Sequence, residues 1–420
     1  MSGMGALFIR NVKLNGVRTN IRISGNRFSE IGMSIFPFQD EEVIEAEGFA
    51  VVPPFYNGHT HAAMTLLRGY ADDMELFTWL NDHIWPLEAK LTPEDIYAGS
   101  RLAILEMIKS GTVFFNDMYD FMPETFRAAE EMGIRAVLGV PFMDWMGEEG
   151  VSDRMKSVEK YHGKSARVRV AVAPHAPYTV SEPLWIRCSE ESKKLGVPLH
   201  FHLSETAKEV NDCKAANGLT PVRWLDKLGV LGPNCVAAHV VHVDEEEMDI
   251  LKKRDVAIVH NPVSNMKLSS GYFKMKPMLD KGLRVLIGTD GCSSNNNLDM
   301  QEEAKFASMM AKCNYGPETF PVKQVLHSCT LEGANVFGVD GGEIAVGKLA
   351  DALLVSLDNE RFVPNHCFES NWIYASTCEA IDTMICDGKV IMRHRKVEGE
   401  EEILAQAKER CEMLLCRKIK

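Results

Sequence analysis

The sequence predicts an α/β protein: a (β/α)8 TIM-type barrel with a small β-sandwich domain formed by both termini. Three observations carry this. Eight apolar β-type runs alternate with helical patterns through the middle of the chain. The two ends share a different, hairpin-rich texture. Histidines gather just beyond the apolar runs, where barrel enzymes carry their chemistry.

The first 50 residues read as short strands, LFIRNVKL, TNIRISG and NRFSEIG, punctuated by Asn-Gly and Gly-Asn turns. The same texture returns in DALLVSLD and TMICDGKVIMRHRKV, where Asp387-Gly388 marks a hairpin. Between them, β-type runs fall at 50–57, 112–116, 134–140, 167–173, 197–203, 235–239, 256–260 and 284–289. Helical patterns separate them, among them Pro93–Ser110, Pro123–Met132, Glu182–Leu195, Glu245–Lys253 and Met300–Lys312. Strands alternating with helices imply a parallel sheet, and eight of them imply a closed one. The expected division is 1–52 (β domain), 53–345 (barrel) and 346–420 (β domain and a terminal amphipathic helix). The first connection, Ala62 to Ser110, is long and carries Trp79, Trp85 and Glu88, which reads as a lid or binding loop.

Composition narrows the function. The 420 residues include 46 Lys+Arg and 59 Asp+Glu, a net charge of −13. That excess argues against a polyanion partner, because nucleic-acid binding needs a basic stripe; a small or neutral substrate is easier to reconcile. No run of 18 apolar residues occurs, so no membrane partner is expected. The opening MSGMGALFIRNVKLNG lacks a signal-peptide pattern. The 11 cysteines run from Cys188 to Cys416 without a CxxC pair, which fits a reducing cytoplasm and leaves any metal to histidine and carboxylate.

The strand ends supply those groups: His59 and His61 after run one, Asn116 and Asp117 after two, His175 after four, His200 and His202 in five, His239 after six, His260 and Asn261 after seven, Asp290 after eight. Two residues apart on an extended chain, His59 and His61 face the same side. That spacing suits two imidazoles on one metal. His202 and Asp290 would complete a three-histidine, one-aspartate set that leaves a position for water. His200 shares the face of His202 one layer deeper and reads as a supporting or core histidine. His242 reads as structural. Run four passes into His175 with no lysine at its end, so a second, bridged metal is not expected. Oxygen and nitrogen donors suit one zinc, with iron or manganese as alternatives. Glu205, three residues beyond His202, is placed to carry a proton between a metal-activated water and a leaving group.

Seven segments together resemble the amidohydrolase superfamily, and within it the 5-methylthioadenosine/S-adenosylhomocysteine deaminases: NGHTHAAMTLLRGYADDMELFTWL, WPLEAKLTPED, APHAPYT, HFHLSET, AHVVHVDEEEMDIL, HNPVSNMKLSSG and GTDGCSSNNNLDM. The resemblance spans roughly Pro53 to Leu349, and GEIAVGKLADALLVSL resembles the family's return into its small β domain. It implies metal ligands His59, His61, His202 and Asp290, with Glu205 as proton shuttle. It implies that His239 polarises the attacked centre or supports the attacking oxygen, and that Asp290 also accepts a proton from the water. Glu88 matches a carboxylate for ribose hydroxyls; Trp79 and His175 match substrate contacts. Some members clamp a substrate carboxylate with two arginines. Arg154 fits the second, whereas Phe142, twelve residues upstream, stands for the first.

The implied activity is hydrolytic deamination of an adenine-type nucleoside (5-methylthioadenosine, 5′-deoxyadenosine, adenosine or S-adenosylhomocysteine). The same framework also serves guanine, pterin or triazine substrates. Relatives are often homo-oligomers.

Overall fold

The computed structural model describes residues 6–418. The middle of the chain forms eight parallel strands in strict sequential order: Phe55–Thr60, Thr112–Met118, Arg135–Phe142, Val168–Pro174, Leu199–Leu203, Cys235–His239, Ala257–His260 and Arg284–Ile287. Here they are called barrel strands one to eight. Helices return the chain between them, so the sheet curls until its last strand meets its first: the Asp290 amide donates to the His59 carbonyl at 3.0 Å. The chain is thus a TIM-type barrel with a separate sheet built from both ends.

Run 50–57, read above as one barrel strand, is two elements. Phe49–Val52 belongs to the small sheet and Phe55–Thr60 to the barrel. Pro53 and Pro54 stand between them; neither has an amide hydrogen to extend a ladder, so the chain leaves one sheet there and enters the other.

The small sheet has eight strands. In spatial order they are Lys389–Met392, Ile381–Cys386, Ala352–Ser356, Phe49–Val52, Leu7–Leu14, Val17–Ser24 and Arg27–Gly32, with Glu42–Glu45 paired to Leu7–Leu14. The two ends interlock where Phe49–Val52 runs antiparallel to Ala352–Ser356. The Asp387-Gly388 hairpin has both central residues in the left-handed region, φ 53° and 76°, as a two-residue primed turn requires. Its tip meets the Gly25-Asn26 turn of the other terminus, where Asn26 Nδ2 donates to Asp387 Oδ1 at 3.1 Å.

Arg135, at the start of barrel strand three, joins the two sheets. Its guanidinium donates to both oxygens of Asp351 at 2.8 and 3.0 Å and to Asp387 Oδ1 at 2.8 Å. Arg135 and Asp351 are buried, so the bidentate pair is largely screened from water. The C-terminal helix, Glu400–Cys416, packs on the helix Pro93–Lys109, where Arg410 and Arg417 both reach the buried Asp95. No helix among the described residues is long and apolar enough to cross a membrane.

Removing Arg135 leaves two carboxylates without their cation, one of them deeply buried. Arg135→Ala should destabilise the fold by about 3–5 kcal/mol, read as a fall in the denaturant midpoint. An unchanged midpoint would show that the two sheets are held by other contacts.

Candidate active site

At the carboxyl ends of the barrel strands, imidazoles and one carboxylate converge. His59 is the penultimate residue of strand one and is fully buried; His61 follows one residue past its end. His202 sits in strand five and His239 ends strand six. Asp290 follows strand eight with φ 60°, a left-handed turn that brings its carboxylate over the barrel mouth. Asp290 Oδ1 lies 3.2 Å from His59 Nε2 and 3.3 Å from His61 Nε2, and His202 Nε2 lies 3.3 Å from His61 Nε2. The donor atoms of His59, His202, His239 and Asp290 all lie within 4.8 Å of one another.

The outward nitrogens are each occupied. His61 Nδ1 bonds the Met118 carbonyl at 2.7 Å, His202 Nδ1 the His175 carbonyl at 2.8 Å, and His239 Nδ1 the Asn265 Oδ1 at 2.8 Å. A main-chain carbonyl only accepts, so Nδ1 of His61 and of His202 carries the proton and Nε2 of each turns a lone pair inward. His59 Nδ1 meets His200 Nε2 at 2.9 Å, which makes His200 a supporting partner, as its deeper layer implied. His59 Nε2 is buried without a hydrogen-bond partner. The other oxygen of Asp290 receives hydroxyls from Ser264 at 2.6 Å and Ser294 at 3.0 Å.

Inward lone pairs backed by outer hydrogen bonds form the arrangement that holds a divalent metal. The charges agree. Burial opposes ionisation of Asp290, yet its contacts with His59 and His61 hold it well below the usual carboxylate range. Burial likewise opposes a charge on His61, but the same carboxylate lifts it to about 9. The centre therefore demands positive charge beside Asp290, which a cation would supply. His202, pushed far down by burial, stays neutral as a ligand must.

A cavity of 570 Å³ opens above these donors. Glu205, Trp79, Glu88, Arg154 and His175 all line it, together with His61, His202, His239 and Asp290. Glu205 Oε2 lies 3.8 Å from His239 Nε2, and its other oxygen receives the Ser270 hydroxyl at 3.2 Å. Burial raises the Glu205 carboxyl above its usual range. Glu88, half-buried, accepts the Tyr119 hydroxyl at 2.6 Å, and burial lifts it to about 7. Trp79 is pinned by its indole N–H on the Ala71 carbonyl at 3.1 Å. His175, lowered to about 3 by burial, bonds Thr179 through Nδ1 at 2.9 Å.

A match to the amidohydrolase family model extends over residues 50–391. The chain belongs to the amidohydrolase family. It is 45% identical to a 5′-deoxyadenosine deaminase of Methanospirillum hungatei over 385 residues, 89% of this chain and 85% of that one. It is 42% identical to a 5-methylthioadenosine/S-adenosylhomocysteine deaminase of Carboxydothermus hydrogenoformans over 409 residues, 95% and 94% of the two chains. Among solved structures, an adenosine deaminase from Xanthomonas campestris with bound zinc superimposes with a TM-score of 0.93 at 30% identity, covering 99% of this chain and 100% of that one.

Two readings of this amidohydrolase change with the structure in hand. Phe142 is not opposite Arg154: its side chain is fully buried in the core, while its neighbours Pro141 and Met143 face the cavity. Arg154 is paired with Asp120 at 2.7 Å. Second, His239 lies as close to the other donors as a ligand would, so it competes with His61 for a place on the metal. Tyr119, Asp120, Ser264, Asn265 and Ser270 were not singled out from sequence; three of them stand in HNPVSNMKLSSG, where only the histidine and asparagine drew notice.

Metal content separates the two histidines. Elemental analysis should find roughly one divalent cation per chain. His61→Ala should lose it, whereas His239→Ala should keep it and lose turnover. The reverse pattern would put His239, not His61, on the metal.

Proposed function

We propose that this amidohydrolase deaminates an adenine nucleoside carrying a small uncharged 5′ group, 5′-deoxyadenosine or 5-methylthioadenosine, to the inosine-type product and ammonia. The observation that carries the reading is a single cavity lined by the inward donors, by Glu205 and by Glu88, which is bonded to Tyr119, whose ring centroid is 6.3 Å from that of His61. The donors and Glu205 suit a purine amidine, and Glu88 suits a ribose diol. The names of the relatives support the same class.

Bound at His59, His61, His202 and Asp290, a divalent metal, zinc being the best match to the donors, would lower the pKa of a water towards about 7. The chain's own groups do the rest. Glu205, its pKa raised by burial, takes a proton from the attacking water and delivers it to the ring nitrogen beside C6. Asp290, with Oδ2 fixed by two serine hydroxyls, receives the second proton and passes it to the amino group, which leaves as ammonia. His239, held by Asn265, faces the attacking oxygen beside Glu205. Glu88 receives the ribose hydroxyls, Trp79 and His175 wall the substrate, and Arg154 stands at the 5′ side.

The choice of 5′ group rests on Arg154. A homocysteine carboxylate would meet a guanidinium already paired with Asp120, and the lining of the cavity carries no second lysine or arginine among the described residues. Ammonia release should therefore give kcat/KM for 5′-deoxyadenosine or 5-methylthioadenosine at least roughly tenfold above S-adenosylhomocysteine. Glu205→Gln should lower kcat by roughly 10²–10⁴ with metal content intact; full activity in that variant refutes its role.

Glu88 gives a pH signature. Its folded pKa of about 7 means that it is protonated, and a weaker acceptor, below neutrality. KM for a nucleoside should fall as pH rises from about 6 to 8, and Glu88→Gln should flatten the profile. If Glu88→Ala affects free bases and nucleosides alike, the ribose assignment is wrong.

A further inference from the structure

The structure assigns Glu209 as a positioning residue for Glu205, holding the turn that aims the proton carrier. Glu209 lies in the first turn of the helix Ala207–Asn217 and is 2% exposed. Its Oε1 accepts the Ser204 amide at 2.7 Å and its Oε2 accepts the Glu205 amide at 2.8 Å. One carboxylate thus binds two successive backbone N–H groups at the turn leading out of strand five.

That turn is strained. Ser204 has φ 51°, a left-handed conformation that a residue with a β-carbon adopts at some cost. The far side of the turn is held as well: the Ser204 carbonyl accepts the Val241 and His242 amides at 3.1 and 2.9 Å. These belong to the segment after strand six, whose own left-handed residues are His239, φ 72°, and Val240, φ 50°. Glu205 and His239, 3.8 Å apart, are therefore carried on two turns that interlock, and Glu209 holds the amide of Ser204 while the second turn holds its carbonyl. A space-filling side chain in this pocket would not need two acceptor oxygens.

The inference rests on the reading of Glu205 as proton carrier. Glu209→Gln keeps the volume but turns one end of the carboxylate into an amide donor facing an N–H. It should lower kcat roughly 10- to 100-fold, with KM within about threefold and metal content unchanged. Glu209→Asp keeps both acceptors on a shorter reach and should lose less, about three- to tenfold in kcat. If the Gln variant does not fold, the Asp variant decides alone. The assignment is overturned by wild-type kcat in either folded variant, by Gln outperforming Asp, or by metal loss in step with activity. Active wild type with unaffected variants overturns this inference alone; wild type inactive on every adenine nucleoside overturns it together with the deaminase reading.

Discussion

The site depends on the seam where the last barrel strand meets the first. A parallel sheet left open would expose an edge there. Instead the Asp290 amide bonds the His59 carbonyl at 3.0 Å, Asn57 Nδ2 donates to Thr289 Oγ1 at 2.7 Å, and the Thr60 hydroxyl donates to the Asp290 carbonyl at 2.9 Å. The approach is so close that position 288 must be glycine: a β-carbon would come within 2.6 Å of Asn261 Oδ1 and 2.8 Å of the His59 amide. The same bonds hold Asp290 in its left-handed turn, a conformation worth about 1–3 kcal/mol against it. Closing the barrel and bringing the carboxylate onto His59 and His61 are one event.

The imidazoles depend on that event in turn. Burial strips them of water, and buried polar groups need partners. Outward, each finds one: a main-chain carbonyl, an asparagine or His200. Inward, they have only one another and Asp290. This leaves a centre whose lone pairs are mutually repulsive unless positive charge sits among them, and whose rings cannot turn away because their outer nitrogens are bonded. Rigidity and affinity for a cation arise from the same hydrogen bonds.

What the sequence revealed followed periodicity. On a strand, every second residue shares a face, so His59 with His61 and His200 with His202 could be placed in layers before any coordinate was known. Turn chemistry was equally plain at Asp387-Gly388. Barrel strand three was opaque. All eight of its residues are buried, because one face meets the barrel interior and the other meets the helices. Such a strand has no polar alternation, and a count that slips by one residue exchanges the faces; Phe142 and Met143 differ by that one residue. The break at Pro53 and Pro54 was visible and set the bound between the two domains, but the apolar run continued through it and read as one strand. Glu209 was hidden for another reason. A glutamate in the first turn of a helix is ordinary, and only its two main-chain partners, on a left-handed turn, set it apart.

Net charge entered as an argument against polyanions, and the structure moves that argument from the whole chain to one residue. At −13 the field of the protein disfavours an anionic ligand at long range, but salt screens it within about 10 Å. Inside the cavity the local balance governs. There Arg154 is the cation on the wall, and Asp120 has already taken it. A carboxylate tail would have to break that pair and would leave Asp120, half-exposed, facing its own charge. On the proposed reading, an uncharged 5′ group would leave the pair intact, and Met143, Trp145 and Met146, which line the same cavity, would favour burying a methyl or methylthio group over hydrating it. On that reading, selectivity at the 5′ end would come from a cation made unavailable rather than from a cation removed, a distinction that residue identity at position 154 alone could not show.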